Sequence, residues 1–179
     1  MSHQSIITRD WIASRTDLFG ELFTAVDELV HQNPNIALEE TLRTLPEGQQ
    51  AAWHVGRFFQ DLASGGFAPF FRTSIEGDPT GRRFVSAYIA FNRLGLLPFA
   101  TLLARGAAVS LDFDADLQAP SRNRKPLTVE QYDKAVAKLN REFQSLGSDW
   151  RKHIERFIRT QPRLFTEVTA TTNRKRPRG

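Results

Sequence analysis

Three aspartates at alternate positions are the residues of this sequence that most resemble a metal-binding set. Asp112, Asp114 and Asp116 have the spacing of the first three ligands of a calcium-binding loop. Such a loop also needs a glycine at its sixth position and a glutamate at its twelfth, where this sequence has Leu117 and Asn123. We therefore predict no metal site, and we interpret the segment as a solvated acidic loop or as a surface that binds a basic partner.

Basic side chains recur along the predicted last helix at positions i, i+4, i+7 and i+11. These are Lys152, Arg156, Arg159 and Arg163. A row of cations at this spacing can follow the phosphates of a polyanion. The same spacing is typical of the solvent-exposed face of an amphipathic helix, so both interpretations stay open.

Groups that could act as nucleophiles or as acids and bases are few. The sequence has no cysteine and lacks the motifs of hydrolase nucleophiles, phosphate-binding loops, dinucleotide folds and zinc proteases. His54 and His153 could titrate near neutral pH, but no carboxylate shares a helix face with either at a telling spacing. We interpret both as surface or packing residues, and we predict no catalytic residue, no cofactor and no enzymatic activity.

Apolar residues at helical spacing predict the elements that would position these groups. The first strong helix covers residues 14–33, with Ser14 as its cap. Another begins after Pro46 and ends at the pair Gly65 and Gly66, and its apolar stripe is Ala51, Val55, Phe58, Phe59 and Leu62. A short helix carrying Leu38 and Leu42 lies between them, and the aromatic segment that follows the glycine pair, including Phe71, is predicted to enter the core.

The second half of the chain contains further segments with helical spacing. One helix has Phe84, Val85, Tyr88 and Ile89 as its apolar face, the next runs from Pro98 to about Gly106, and residues 107–127 are predicted to be a long loop. Two further helices follow, and their apolar faces are Tyr132, Ala135, Val136, Leu139, Phe143 and Leu146 on the first and Trp150, Ile154, Phe157 and Ile158 on the second. Thr128 and Gln131 form a capping box at the start of the first, and Ser148 caps the second.

These patterns predict an all-α fold, an irregular array of about seven helices around one core. The predicted boundaries are an N-terminal arm at 1–13, a helical domain at 14–167 and a disordered basic tail at 168–179. No apolar run is long enough to span a membrane, no secretory signal is visible and cysteine is absent, so we expect a cytoplasmic protein.

Charge is unevenly distributed along the chain. Residues 1–80 carry 11 acidic and 5 basic side chains, whereas residues 81–179 carry 9 acidic and 19 basic ones. Four of the cations lie in the last nine residues, so without them the net charge of +4 falls to zero. A basic tail of this kind predicts weak, salt-dependent attraction to nucleic acid rather than specific recognition.

The run Ser64 to Phe71 (SGGFAPFF) resembles the Asn-Gly-Gly-Phe-x-Gln-Phe-Phe signature of a bacterial helical family of unknown function. We describe that family as DNA-mimic-protein-like, because one member is described as a DNA mimic that blocks a DNA-binding regulator. The resemblance covers residues 36–165, with Ser64 and Pro69 in place of the signature's Asn and Gln. It implies an all-α domain that is not an enzyme and that binds another protein.

The function we expect is that of a helical protein-interaction module, a regulator or inhibitor of another bacterial protein. DNA mimicry is disfavoured because a neutral body cannot imitate a phosphate lattice of about one charge per 1.7 Å. The alternative is a nucleic-acid-associated protein that uses its basic C-terminal half and tail. The oligomeric state is left open, and a homodimer is compatible with the sequence.

Overall fold

The computed structural model describes residues 7–32, 36–67, 70, 82–118, 125–147 and 149–168. The regular elements in these ranges are all helices, which confirms the all-α prediction, and there are nine of them rather than about seven. They are α1 Arg9–Ser14, α2 Leu18–His31, α3 Leu38–Arg43, α4 Glu47–Ala63, α5 Arg82–Arg93, α6 Leu97–Gln118, α7 Val129–Ser145, α8 Trp150–Thr160 and α9 Arg163–Thr166.

Helix α4 lies at the centre of the array, where it packs against α2, α5 and α9. The remaining helices extend from this centre, since α5 packs against α6, α6 against α7, and α8 against α1 and α2. The predicted stripe along α4 is confirmed, because Ala51, Val55, Phe58 and Leu62 are buried. A helix buried on several sides thus organises the whole core.

An aromatic cluster fills the space between α4, α5, α6, α7 and α8. Phe58 makes edge-to-face contacts with Phe70 and Phe91, and the ring of Phe59 stacks on Trp150 with the ring centroids 3.7 Å apart. Such contacts add to the stabilisation that burial of large rings already provides. The predicted core position Phe71 lies outside the described residues, whereas its neighbour Phe70 is buried.

The glycine pair ends α4 as predicted and feeds the aromatic segment into this cluster. Gly66 has a φ of +80°, a conformation that residues with a Cβ rarely adopt. The side-chain oxygen of Asn140 on α7 accepts a hydrogen bond of 3.0 Å from the backbone N–H of Phe67, whose ring is fully buried. This bond joins the turn to a helix more than 70 residues away in sequence.

Both ends of the described chain are held against the rest of the fold, one by a buried hydrogen bond and the other by buried apolar side chains. Buried Gln49 on α4 donates a hydrogen bond of 2.6 Å to the carbonyl oxygen of Phe165 on α9. Ile7 and Ile12 are buried with the core, so residues of the segment we expected to be an arm contribute to the helical body.

Helix α6 corrects our prediction of a long loop at 107–127, because the helix continues through Gly106 to Gln118. Ala107 and Ser110 are buried, and Phe113 stacks on Tyr132 of α7 with the ring centroids 4.4 Å apart. The apolar spacing is weak in this half of the helix, so contacts with α7, rather than a local pattern, stabilise it.

Two helix starts also differ from our prediction. Ser14 is the last residue of α1, and the cap of α2 is Asp17, whose side chain accepts a hydrogen bond from the N–H of Gly20. Ser148 lies outside the described residues, and Asp149 occupies the N-cap position of α8 without a side-chain capping bond. The capping box of Thr128 and Gln131 at α7 is confirmed.

The orientation of α5 differs from our prediction, because Phe84 is the one residue of the predicted apolar face that packs against the core. Ala87, Ala90 and Phe91 are its buried residues, whereas Val85, Tyr88 and Ile89 are 47%, 40% and 50% exposed. The small side chains of Ala87 and Ala90 allow α5 to approach α4 closely. The larger side chains of Val85, Tyr88 and Ile89 face outward.

Candidate functional site

The three aspartates lie on the last turns of α6 rather than on a loop. Residues two positions apart on a helix point in nearly opposite directions, so Asp114 does not share a face with Asp112 and Asp116. Asp116 is buried, and its Oδ2 accepts a hydrogen bond of 2.8 Å from the N–H of Leu127. Asp116 thus braces the chain before α7, and within the described residues no three carboxylate or imidazole groups are placed to hold a metal ion.

The predicted basic stripe is divided between two helices. Lys152, Arg156 and Arg159 lie on α8, whereas Arg163 begins α9 after the break at Pro162. The guanidinium of Arg159 donates hydrogen bonds of 3.1 Å and 2.6 Å to carbonyl oxygens at the end of α1, so it ties α8 to α1. The four residues therefore do not form one continuous row along one helix.

A groove of about 1060 Å³ lies between the end of α2, α3, α4 and the first half of α5, and its composition differs from both predicted sites. Trp53, His54, Arg57 and Phe58 of α4 lie along it, together with the buried ring of Phe70. Its volume is at the upper end of the range found for ligand-binding cavities.

His54 is the titratable group most strongly affected by this environment. Burial lowers the pKa of His54 from 6.5 to about 4, although the charge of Glu39 acts in the opposite direction. The imidazole is therefore neutral at physiological pH, and it lies edge-on to the ring of Trp53 with the centroids 5.1 Å apart. The indole N–H of Trp53 donates a hydrogen bond of 2.9 Å to Asp27, which fixes the Trp53 ring.

Arginine dominates the charge along the groove. Four arginines line it, from α3, α4 and α5, against two carboxylates. They are Arg43, Arg57, Arg82 and Arg83, and the carboxylates are Glu39 and Asp61.

The carboxylates both form ion pairs with arginines of α5. Arg82 lies 3.2 Å from Glu39, and Arg83 lies 2.9 Å from Asp61. Arg57 is held by a hydrogen bond of 3.1 Å to Gln60 and lies over the ring of Trp53. Among the described residues that line the groove, the positive charges therefore exceed the negative ones by two.

Exposed aliphatic residues flank the same groove. Ile36 and Leu38 lie at its α3 side and are 43% and 42% exposed, and Val85 lies at its α5 side. Val85, Tyr88 and Ile89 together form what we call the α5 apolar face. A surface that combines apolar side chains with arginine has the composition typical of protein interfaces.

Comparison with known proteins places the chain in a family. A model of the DMP19-like protein family matches residues 43–161, which is 119 of the 179 residues. The chain belongs to this family. The match extends over α4, α5, α6, α7 and α8, and so includes the glycine turn and two of the four described helices that line the groove.

The DMP19-like family is an all-helical domain family, in agreement with the described fold. We found no curated protein and no solved structure that matches this chain significantly. None of the described helices is both long and apolar enough to cross a membrane.

The groove has no signature in the sequence, because its lining residues come from five separate segments of the described chain. His54 is visible in the sequence, but its partial burial in this groove is not. The one available signal was the apolar set Val85, Tyr88 and Ile89, which we took for a buried face. A strongly amphipathic helix can expose its larger apolar residues when small ones fit its neighbour better.

Proposed function

We propose that this protein is a non-enzymatic interaction module that binds another protein through the groove and the α5 apolar face. The observation that carries this proposal is the exposure of Val85, Tyr88 and Ile89 beside an arginine-rich groove. Apolar side chains gain free energy when a partner removes them from water, at roughly 25 cal/mol per Å². A helix face of this kind offers a partner a rigid surface that needs little ordering on binding.

The chemistry of the groove supports binding rather than catalysis. Both of its carboxylates, Glu39 and Asp61, are engaged by arginines, and His54 is held neutral by burial. A general base needs a free acceptor, which neither carboxylate offers, and the lowered pKa of His54 makes its imidazole a weak base at neutral pH.

Two other functions receive less support from the geometry. The basic row that would follow a polyanion is broken after α8, and Arg159 is engaged with α1. A DNA mimic would present carboxylates to a basic partner, whereas the groove presents an excess of arginine. Membership of the DMP19-like family establishes the domain and no partner.

Site-specific photo-crosslinking tests this proposal. A photoreactive phenylalanine analogue is placed at Ile89 of the α5 apolar face, or at the exposed control position Ala137 on α7. The protein is irradiated in extract of its source organism, with and without nuclease treatment. We expect a discrete protein adduct from position 89 and none from position 137. Equal labelling at both positions, or adducts that disappear on nuclease treatment, would refute the proposal.

A further inference from the structure

We infer that the groove binds an acidic amphipathic segment of a partner protein, in which Asp or Glu residues are interspersed with large aliphatic ones. This inference rests on the proposed function and names the class of partner. An acidic partner is expected because the described charge along the groove is positive, and interfaces pair surfaces of opposite charge.

Charge complementarity provides the first argument. The four groove arginines exceed the two carboxylates by two charges. Arg43 is exposed and has no ion-pair or hydrogen-bond partner among the described residues, while Arg57 is half-buried and oriented by Gln60 and Trp53. A guanidinium that is already oriented loses little rotational freedom when it forms paired hydrogen bonds with a carboxylate.

Exposed aliphatic residues at the two edges of the groove provide the second argument, and they favour a peptide ligand over a nucleic acid. Ile36 and Leu38 on one side and Val85 on the other are exposed aliphatic residues without hydrogen-bonding capacity. Single-stranded nucleic acids stack their bases on exposed aromatic rings, whereas the indole and phenyl rings that line the groove, those of Trp53, Phe58 and Phe70, are buried. An amphipathic helix that places its apolar side chains in a groove uses both features at once.

An ion pair across the groove indicates how such a segment would enter. Arg82 on α5 pairs with Glu39 on α3, two helices on opposite sides of the groove, and both side chains are largely exposed. An exposed pair of this kind contributes about 1 kcal/mol or less, so it opens readily. A carboxylate of the partner segment can replace Glu39 on Arg82, and the native pair therefore competes with the ligand.

This competition predicts variants of opposite effect. Arg57→Gln should weaken binding of the acidic segment about tenfold, because it removes an oriented cation. Glu39→Gln should tighten binding about two- to fivefold, because it frees Arg82 and removes a repelling charge. Arg141→Gln, at an exposed arginine on α7 distant in sequence from the groove elements, is the matched control and should leave affinity unchanged.

Peptide display on the full chain tests the inference without knowledge of the natural partner. A random library of peptides of about 16 residues, enough for about four helical turns, is selected on the immobilised protein. Clones that fail to bind an Arg43→Glu, Arg57→Glu variant are kept as groove-dependent. We expect these clones to be rich in Asp and Glu among aliphatic residues, and we expect their synthetic peptides to give the three affinity changes in fluorescence polarisation. Circular dichroism and melting curves check that each variant is folded.

The possible outcomes separate the inference from the function on which it rests. Groove-dependent peptides that are neutral or basic, or an affinity that Glu39→Gln lowers, would overturn the acidic partner and leave the interaction module standing. A library that yields no groove-dependent peptide would overturn both. Acidic peptides that follow the predicted order of affinities support both.

Discussion

Replacing His54 by glutamine should remove a defined part of the pH dependence of folding. The pKa of His54 is about 4 in the folded protein and takes the ordinary value of 6.5 in the unfolded chain. As the pH falls, the unfolded chain takes up the proton before the folded protein does. The contribution of neutral His54 to the free energy of unfolding is therefore complete above pH 6.5. It is lost progressively between pH 6.5 and pH 4.

The size of this effect follows from the difference between the two pKa values. The two pKa values differ by about 2.5, and each tenfold step in proton affinity corresponds to 1.36 kcal/mol. The loss of unfolding free energy at low pH therefore has an upper limit of about 3 kcal/mol. The groove is open to solvent on one side, so we expect about 2 kcal/mol. Glutamine does not titrate, and the variant His54→Gln should therefore show a smaller fall in unfolding free energy from pH 7 to pH 4.5.

Urea unfolding at several pH values measures this difference directly. The chain has four histidines, so proton NMR of the imidazole resonances provides an independent check. We expect one resonance to remain in its neutral position down to about pH 5 and to be absent from the variant. A constant difference in unfolding free energy between the two proteins across this range, or four histidines that all titrate above pH 5.5, would refute the burial of His54.

Three further substitutions test the long-range contacts by chemical denaturation. Asn140→Ala removes the acceptor for the N–H of Phe67 and should cost about 1–2 kcal/mol, whereas Asn140→Asp, which keeps an acceptor oxygen, should cost less; equal losses would refute this role. Gly48→Ala should cost about 1–3 kcal/mol, because its Cβ would lie 2.7 Å from a backbone oxygen of α9; an unchanged midpoint would mean that α9 does not pack there. Arg159→Gln should cost about 1–3 kcal/mol and accelerate hydrogen exchange in α1. The control Arg156→Gln should change the free energy of unfolding by less than about 0.5 kcal/mol. Equal effects of the two substitutions would rule out the tie between Arg159 and α1.

The candidate site shows that local sequence patterns can identify individual residues but do not reveal the surface that those residues form. His54 and the basic residues were visible in the sequence, but their environments were not. Arg159 was predicted to contact a polyanion, and its guanidinium instead binds carbonyl oxygens about 145 residues earlier in the chain. Only the packing of α8 on α1 brings these groups together, and no spacing rule within one helix contains that information.

The sequence alone determined the helical class, the core stripes of α4, α7 and α8, the capping box of α7 and the glycine turn that ends α4. Each of these depends on residues within a few turns of one another, so hydrophobic periodicity and capping chemistry suffice to predict them. The tertiary structure alone decided the length of α6, the outward orientation of Val85, Tyr88 and Ile89, and the groove that these residues border. These features depend on which helix surfaces fit together, because the free energy of close packing is gained between elements that are distant in sequence.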